Sequence, residues 1–254
     1  MVIAEHFDIG MRREVRRDLE ETHQPWSAYK KVRRGEVLTI EDFVYRVELI
    51  SRINLKFAAF CSLLYLTGCR IQEILAYKYN GDYVAEKEAK NILFKPAMVA
   101  GDIKIEYDEA NNIHWLIITS RCEKKKDIRE DERQSIIYYD EYYPVKNDKE
   151  RVEVKNPLKP LIDILESYLD QNFENKENFP LFTFSYSYAH EYISKWLKLT
   201  PHSIRGLRAQ HLLRYHNFDI TSLQAYFNWK DSTVAAEYAK SDAKDIKERL
   251  LGRK

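Results

Sequence analysis

Three absences narrow the class of protein that this 254-residue sequence encodes. No run approaches the ~18–20 consecutive apolar residues of a membrane-spanning helix, and residues 1–10 lack the long apolar core of a secretory signal. The three cysteines, Cys61, Cys69 and Cys122, are odd in number and lack the spacing of metal ligands. We therefore expect reduced thiols in a cytoplasmic protein with no membrane partner.

A strong net charge is absent as well, which argues against a non-specific basic coat. The chain has 41 Lys and Arg residues against 40 Asp and Glu residues, a formal net charge of +1. Any nucleic-acid surface must therefore be local. Residues 192–218 are locally basic, because they contain no Asp or Glu but include Lys195, Lys198, Arg205, Arg208 and Arg214. Lys195, Lys198 and Arg208 are the candidate residues of such a nucleic-acid surface.

The pattern of apolar residues predicts an α+β protein that is mostly α-helical. Helices are predicted from Leu38 onward and over residues 55–66, 158–169, 187–197, 204–215 and 221–227. β-Branched and aromatic residues predict strands over 103–107, 113–119 and 134–139, which would form a small antiparallel three-stranded sheet. Asn111 and Asn112 are the predicted hairpin turn. Residues 78–112, before and around the first strand, are predicted to be a charged insertion, and residues 145–156 a charged loop.

Three segments are expected along the chain. Residues 1–36 are predicted to be an arm or linker, either a solvated helix or a contact to DNA phosphates or a neighbouring subunit. Residues 37–240 form the main domain, and residues 241–254 a charged tail helix. Ile246, Leu250 and Leu251 give that tail an apolar face, which needs a docking site on its own chain or on a neighbour.

A histidine, an arginine and a tyrosine suit chemistry on a phosphate. His202 and Arg205 lie three residues apart and so share one helix face. A guanidinium grips phosphate oxygens with a fork of N–H donors, and a histidine moves protons near neutral pH. Tyr238 is able to attack phosphorus and form a covalent phosphotyrosine. Taken alone, Arg70 and Glu73 are equally consistent with a structural ion pair.

Four short motifs occur in a fixed order along the chain. They are Leu63-Leu64-Tyr65-Leu66-Thr67-Gly68-Cys69-Arg70-Ile71-Gln72-Glu73-Ile74-Leu75, then His202-Ser-Ile-Arg205 followed by Ala209-Gln210-His211-Leu212, then Phe227-Asn228-Trp229, and finally Tyr238. Together they resemble the sequence boxes of the tyrosine recombinases, the phage-integrase family, in a form similar to the archaeal type of integrase.

The resemblance implies the catalytic fold of that family and strand exchange in DNA through a 3′-phosphotyrosine, with Tyr238 as the nucleophile. Arg70 and Arg205 would hold the non-bridging phosphate oxygens, and His202 would take the tyrosine proton or hydrogen-bond the phosphate. Trp229 would support the phosphate through its indole N–H. No metal or other cofactor is implied, because the two arginines supply the positive charge.

The resemblance also implies a catalytic lysine on a β-turn. The polar connector between the second and third predicted strands contains Lys124, Lys125 and Lys126. Lys124 is the preferred candidate, with the other two open as alternatives. Glu73 would orient Arg70 as a supporting residue, and His211 would be a structural, hydrogen-bonded histidine.

Two other functions stay open on the sequence. A type IB topoisomerase shares the tyrosine chemistry but relaxes supercoils without exchanging partners. An integrase-derived protein that binds DNA without cutting it is the alternative from another class. Double-stranded DNA is the implied partner in every case. The recombinase interpretation implies a homotetramer on DNA and leaves a monomer in free solution open.

Overall fold

The computed structural model describes residues 38–75, 77–79, 82–84, 97–121, 132–146, 151–174, 177–216, 218–229 and 231–238. The arm predicted over 1–36, the connector with Lys124, Lys125 and Lys126, and the tail helix predicted over 241–254 lie outside these residues. Within the described part of the chain, no helix is both long enough and apolar enough to cross a membrane.

The core is built around two helices near the start of the described chain, α1 (Ile40–Ser51) and α2 (Leu55–Thr67). The Thr39 side chain caps α1 by accepting a hydrogen bond from the Asp42 N–H. Helix α2 is apolar nearly all round, and its residues from Phe57 to Thr67 are buried. A helix of this composition must be covered on several sides, and α2 packs against α1 and against two later helices.

Helix α2 ends at Gly68, whose φ of 59° lies in the left-handed region. A side chain there would be strained, and its Cβ would also overlap the ring of Phe227. The chain turns at this glycine into a short helix, α3 (Ile71–Ile74), with Arg70 at its N-cap position. The glycine therefore permits a close approach between the end of α2 and Phe227, which lies far along the sequence.

In the described residues the strands form three separate antiparallel sheets. They are β1 (Tyr77–Tyr79), β2 (Asp82–Val84), β3 (Ile103–Asp108), β4 (Ile113–Arg121), β5 (Glu132–Tyr138), β6 (Tyr142–Lys146) and β7 (Arg151–Lys155). A 3₁₀ turn, Ala100–Asp102, precedes β3. Strands β3, β4 and β5 pair in that order, with Ile105 opposite Leu116 and Leu116 opposite Ile137. The mostly helical α+β class and its three-stranded antiparallel sheet are thus confirmed.

Two hairpins differ from the sequence prediction. Strands β6 and β7 pair over the region predicted as a charged loop, so that prediction is wrong. In β7 charged residues alternate with valine, and alternation with a period of two favours a strand. The hairpin of β1 and β2 likewise places regular structure at the start of the predicted insertion.

The second half of the chain is helical. Its helices are α4 (Lys159–Asn172), α5 (Tyr186–Tyr192) with a π-helical continuation over Ile193–Leu197, α6 (Pro201–Tyr215), α7 (Ile220–Phe227) and α8 (Ser232–Tyr238). Helix α6 begins three residues before its predicted start, because Thr200 caps it and Pro201 fits its first turn. Helices α4 and α6 both pack against α2. His202 and Arg205 therefore both lie in the first turns of α6.

A second, smaller apolar cluster joins the last three helices. Its buried members are Ala209, Leu212, Leu223, Phe227, Ala235 and Tyr238. Helix α8 is only seven residues long, and so short a helix depends on packing for its stability. This cluster therefore determines where Tyr238 lies.

Candidate active site

Arg70 and Glu73 form a reciprocal pair at the start of α3. The Arg70 backbone N–H donates to Glu73 Oε2 at 2.7 Å, and Arg70 Nη1 donates to Glu73 Oε1 at 3.0 Å. The Glu73 side chain is 2% exposed and the Arg70 side chain 48%. The carboxylate thus fixes one edge of a guanidinium that is otherwise open to solvent and to a ligand.

Arg205 lies deeper, at 4% exposure, and joins two loops that are far apart in sequence. Its Nη1 donates to the carbonyl of Gly68, and its Nη2 donates to the carbonyl of Phe227 at 3.1 Å. The first carbonyl lies two residues before Arg70, and the second lies two residues before Trp229. One guanidinium therefore positions the segments that carry two other candidate residues.

An aromatic stack continues from Arg205 to Tyr238. The Arg205 guanidinium carbon lies 4.6 Å from the centroid of the Phe227 ring and 5.5 Å from that of Trp229. The Phe227 and Trp229 rings stack at 4.6 Å, and the Trp229 and Tyr238 rings stack at 5.5 Å with an interplanar angle of 10°. The Gln210 side chain also donates to the Tyr238 carbonyl at 2.9 Å. The stack brings the predicted nucleophile into the same site as Arg205.

The electrostatics of Arg205 involve several neighbouring charges. Burial, followed by the positive charge of Arg133, lowers the pKa of Arg205 to about 10, with a smaller contribution from Arg70 in the same direction. The Glu73 carboxylate acts in the opposite direction. Arg205 stays protonated at neutral pH. Three guanidinium groups thus lie near one described carboxylate, an arrangement that favours an anionic ligand.

Arg133, at the start of β5, is the residue that the sequence analysis missed. In the sequence, Arg133 is the last residue of the connector that contains Lys124. The predicted strand begins at the next residue, so the sequence gives Arg133 no role. The structure buries its side chain to 6% exposure and directs it to the ends of α2 and α7. Its neighbours Ser120, opposite on β4, and Ser135, two residues further along β5, are also buried.

The remaining basic candidates take different positions. His202 is exposed on the first turn of α6, one turn before Arg205. Lys195 is exposed and Lys198 half-buried at the end of the π-helical segment that leads into α6. These three residues therefore lie on or close to the short segment before the buried arginine.

Arg208, in contrast, lies in the interior at 3% exposure. It hydrogen-bonds Tyr226 and Tyr65, and its guanidinium carbon lies 5.4 Å from the centroid of the Tyr65 ring. Its Nε and Nη1 have no hydrogen-bond partner in the described structure. A DNA phosphate has no access to this guanidinium, so the predicted direct contact between Arg208 and DNA does not fit the structure. The physical reason is enclosure by two tyrosines, Tyr65 from α2 and Tyr226 from α7.

His211 lies in a buried chain of hydrogen bonds. Tyr65 Oη donates to His211 Nδ1, and His211 Nε2 donates to the Leu38 carbonyl at 2.8 Å. This pattern requires the neutral ring with its proton on Nε2. Burial lowers the pKa of His211 to about 3, and the nearby charge of Arg208 acts in the same direction.

We expect the stability of the fold to fall as the pH falls through the titration of His211. The unfolded chain binds a proton at this histidine below about pH 6.5, whereas the folded chain stays neutral there until about pH 3. The contribution of His211 to the free energy of unfolding is therefore present well above pH 6.5 and falls as the pH falls. About 2 kcal/mol of it is lost between pH 7 and pH 5. Glutamine is able to accept from Tyr65 and donate to Leu38, so His211→Gln should show a smaller loss. Urea unfolding of both proteins at the two pH values measures the difference, and equal losses would contradict the assignment.

Comparisons with known proteins give matches among solved structures alone, since no family model and no curated protein matches the chain. The chain is similar to the XerH site-specific recombinase bound to difH substrate in a pre-cleavage complex, with 12% identity and a TM-score of 0.46. It is also similar to the XerA recombinase, with 18% identity and a TM-score of 0.47. The matches cover 83% and 86% of this chain but 51% and 65% of the two solved chains.

Proposed function

We propose that this protein is a site-specific DNA recombinase or integrase that cuts and rejoins double-stranded DNA through a 3′-phosphotyrosine at Tyr238, with residues 37–240 as its catalytic domain. One observation supports the proposal more than any other. Arg205 holds the loop of Arg70 and the loop of Trp229 together, and Tyr238 stacks on Trp229. Two guanidinium groups and a tyrosine converging on one place suit nucleophilic attack on a phosphodiester.

Arg70 contacts the reacting phosphate in this proposal, and Arg205 stabilises the charge of that phosphate from the interior. The Arg70 side chain is 48% exposed and bonded to Glu73 through Nη1, so its other nitrogens are open to the non-bridging oxygens. Arg205 supplies a fixed charge, and its two bonds to carbonyls keep that charge in place. Charge that is positioned before the reaction stabilises the added negative charge of the transition state more than mobile solvent does.

The covalent step exchanges one phosphoester bond for another. The Tyr238 oxygen forms a bond to phosphorus while the bond from phosphorus to the 5′-oxygen breaks. His202, exposed in the first turn of α6, receives the tyrosine proton or hydrogen-bonds the phosphate. Lys124 gives a proton to the departing 5′-oxygen. The reverse reaction with a 5′-hydroxyl rejoins the strand, so no external energy source is needed.

Tyr238 must move before it reacts in this way. Its side chain is 2% exposed in the structure, enclosed by Trp229 and the small cluster of α6, α7 and α8. A phosphodiester in a DNA duplex has no route to so buried a hydroxyl. We infer that DNA binding displaces α8, and that the shortness of this helix keeps the cost of displacement low.

Trapping on a nicked suicide substrate tests the proposed function. On such DNA the short 5′-hydroxyl strand diffuses away after cleavage, so the covalent complex accumulates. We expect an SDS-resistant adduct of the wild-type protein at one strand position. DNA binding without an adduct would indicate the non-catalytic alternative. An adduct that leads to supercoil relaxation but forms no Holliday junction would indicate the topoisomerase alternative.

We expect cleavage to be undiminished in excess EDTA. In other phosphoryl-transfer sites a metal ion offsets the charge of the phosphate, and here Arg70 and Arg205 have that role. The rate of adduct formation on the suicide substrate should therefore be the same with and without the chelator. Loss of cleavage on chelation, with recovery on addition of Mg²⁺ or Mn²⁺, would overturn the proposed mechanism.

Double-stranded DNA and further copies of the chain are the proposed partners. Lys195 and Lys198 are proposed to contact phosphates beside the cleaved one, because they lie just before the turn that carries His202. Strand exchange between two duplexes requires four cleavages, which a tetramer on DNA provides. A junction-forming assay followed by sizing of the complex tests this assembly.

A further inference from the structure

Arg133 links three segments around the candidate site. Its Nε donates to Ser120 Oγ at 3.3 Å, which fixes the side chain to the neighbouring strand β4. Its Nη2 donates to the Thr67 carbonyl at 3.0 Å and to Cys69 Sγ at 2.9 Å, and its Nη1 donates to the Tyr226 carbonyl at 3.1 Å. The donors on all three nitrogens are thus used by groups on the sheet, at the end of α2 and at the end of α7.

These bonds run parallel to those of Arg205. Arg205 binds the carbonyls of Gly68 and Phe227, while Arg133 binds groups at positions immediately beside them in sequence. The two guanidinium groups therefore hold the same pair of loops, Arg205 from helix α6 and Arg133 from the sheet. The Arg133 guanidinium carbon also lies 6.0 Å from the centroid of the Phe227 ring, the ring over which Arg205 lies.

The charge of Arg133 matters as well as its shape. Its effect on the pKa of Arg205 is second only to burial and ranks ahead of the effects of Glu73 and Arg70. Like charges are brought this close at a cost in stability, and that cost is reduced when an anion binds between them. An arginine that lies far from an anion site would not be stabilised by the bound anion in this way.

We propose that Arg133 is a positioning residue of the DNA-cleavage site, which sets the Arg70 loop and the Trp229 loop around the phosphate and adds positive charge beside Arg205. The inference rests on the proposed function for its cleavage test. It also makes a claim about anion binding that holds without cleavage. Arg133 itself does not contact the reacting atoms.

Two substitutions separate geometry from charge. Arg133→Lys keeps the charge but has a single nitrogen, which cannot reach the sheet and both loops at once. Arg133→Met removes the charge and every bond while keeping a long apolar side chain. Arg46→Met is the matched control, because Arg46 is also buried and donates to a backbone carbonyl, that of Leu197, which belongs to neither of the two loops that Arg133 binds.

The first measurement is stabilisation by inorganic phosphate, taken as the shift in melting temperature relative to sodium chloride of equal ionic strength. Wild type and Arg46→Met should show the same shift, although Arg46→Met starts from a lower melting temperature. Arg133→Lys should show a reduced shift and Arg133→Met the smallest, with phosphate affinity on the order of tenfold weaker. Equal shifts in all four proteins overturn the inference, whether or not the wild type cleaves DNA.

The second measurement is single-turnover cleavage of the suicide substrate at saturating protein. We expect Arg133→Lys to cleave roughly 10²-fold more slowly than wild type, since misplacement of catalytic groups by about 1 Å has effects of this size. Its DNA affinity should change little, and Arg46→Met should cleave at the wild-type rate. If Arg133→Lys cleaves as fast as wild type, the inference is wrong while the proposed function stands.

A substrate with sulfur at the 5′-bridging position identifies what Arg133 positions. Thiolate leaves without help from an acid, so this substrate restores variants that have lost the acid alone. Arg133→Lys should stay slow on it, because the proposed loss is in phosphate holding. Restoration to the wild-type rate would assign Arg133 to the connector of Lys124 instead, and would overturn the proposed link to the arginine loops.

Discussion

Tyr238→Phe is expected to abolish covalent attachment to DNA while leaving DNA binding nearly unchanged. The substitution removes only the phenolic oxygen, the atom proposed to bond to phosphorus. The ring keeps its stacking on Trp229, and the backbone carbonyl keeps its bond from Gln210. Helix α8 should therefore stay in place, so that a lost adduct reports on chemistry rather than on folding.

The measurement is adduct formation on the nicked suicide substrate, beside a binding assay on the same DNA. Tyr215→Phe is the matched control, since Tyr215 is an exposed tyrosine at the end of α6 and should keep the wild-type adduct. An adduct that survives in Tyr238→Phe would show that another tyrosine is the nucleophile. Tyr226→Phe and Tyr215→Phe would then identify it.

Local sequence signals predicted the helix positions of the candidate site residues but not their long-range contacts. Helical periodicity placed His202 and Arg205 on one face, because they are three residues apart, and the conformational freedom of glycine placed Gly68 at the end of α2. The bond from Arg205 to the Gly68 carbonyl spans 137 residues. Local spacing contains no information about such a contact, so the joining of the two loops was visible only in the structure.

Arg208 and Arg133 also show that the sequence does not reveal which charged residues are buried. Arg208 belongs to a locally basic span and was therefore predicted to contact DNA, but Tyr65 of α2 and Tyr226 of α7 cover it. Arg133 follows a run of charged residues and was assigned no role, but the pairing of β5 with β4 turns it inward. Charge along the sequence indicates composition, whereas burial depends on tertiary packing.

The hairpin of β6 and β7 was predicted as a loop for a different reason. The side chains of Glu153, Val154 and Lys155 are all exposed, and a charged run with little apolar content is easily interpreted as a loop. Alternation of charged residues with valine from Arg151 to Lys155 was the signal that favoured a strand. The three-stranded sheet was predicted correctly because several of its alternating residues, such as Leu116 and Ile137, face the core.

Arg205→Ala should reduce cleavage by roughly two to three powers of ten, the loss seen when a preorganised donor to a developing negative charge is removed. The expected loss is at the upper end of this range for a structural reason. The guanidinium both supplies charge and holds the carbonyls of Gly68 and Phe227, so its removal frees the Arg70 loop and the Trp229 loop together. DNA affinity should change far less, because the other proposed contacts stay.

Two comparisons separate these effects. Arg214→Ala removes a charge from the same helix, roughly 13 Å along its axis from Arg205, and should leave cleavage close to the wild-type rate. Arg205→Lys keeps the charge but cannot bind both carbonyls, so its rate should lie between those of wild type and Arg205→Ala. Neither Arg205 variant should recover on DNA with a 5′-bridging sulfur, since neither has lost the acid. If Arg205→Ala cleaves as well as Arg214→Ala, then Arg205 has no role at the phosphate, and its two bonds serve only to hold the fold.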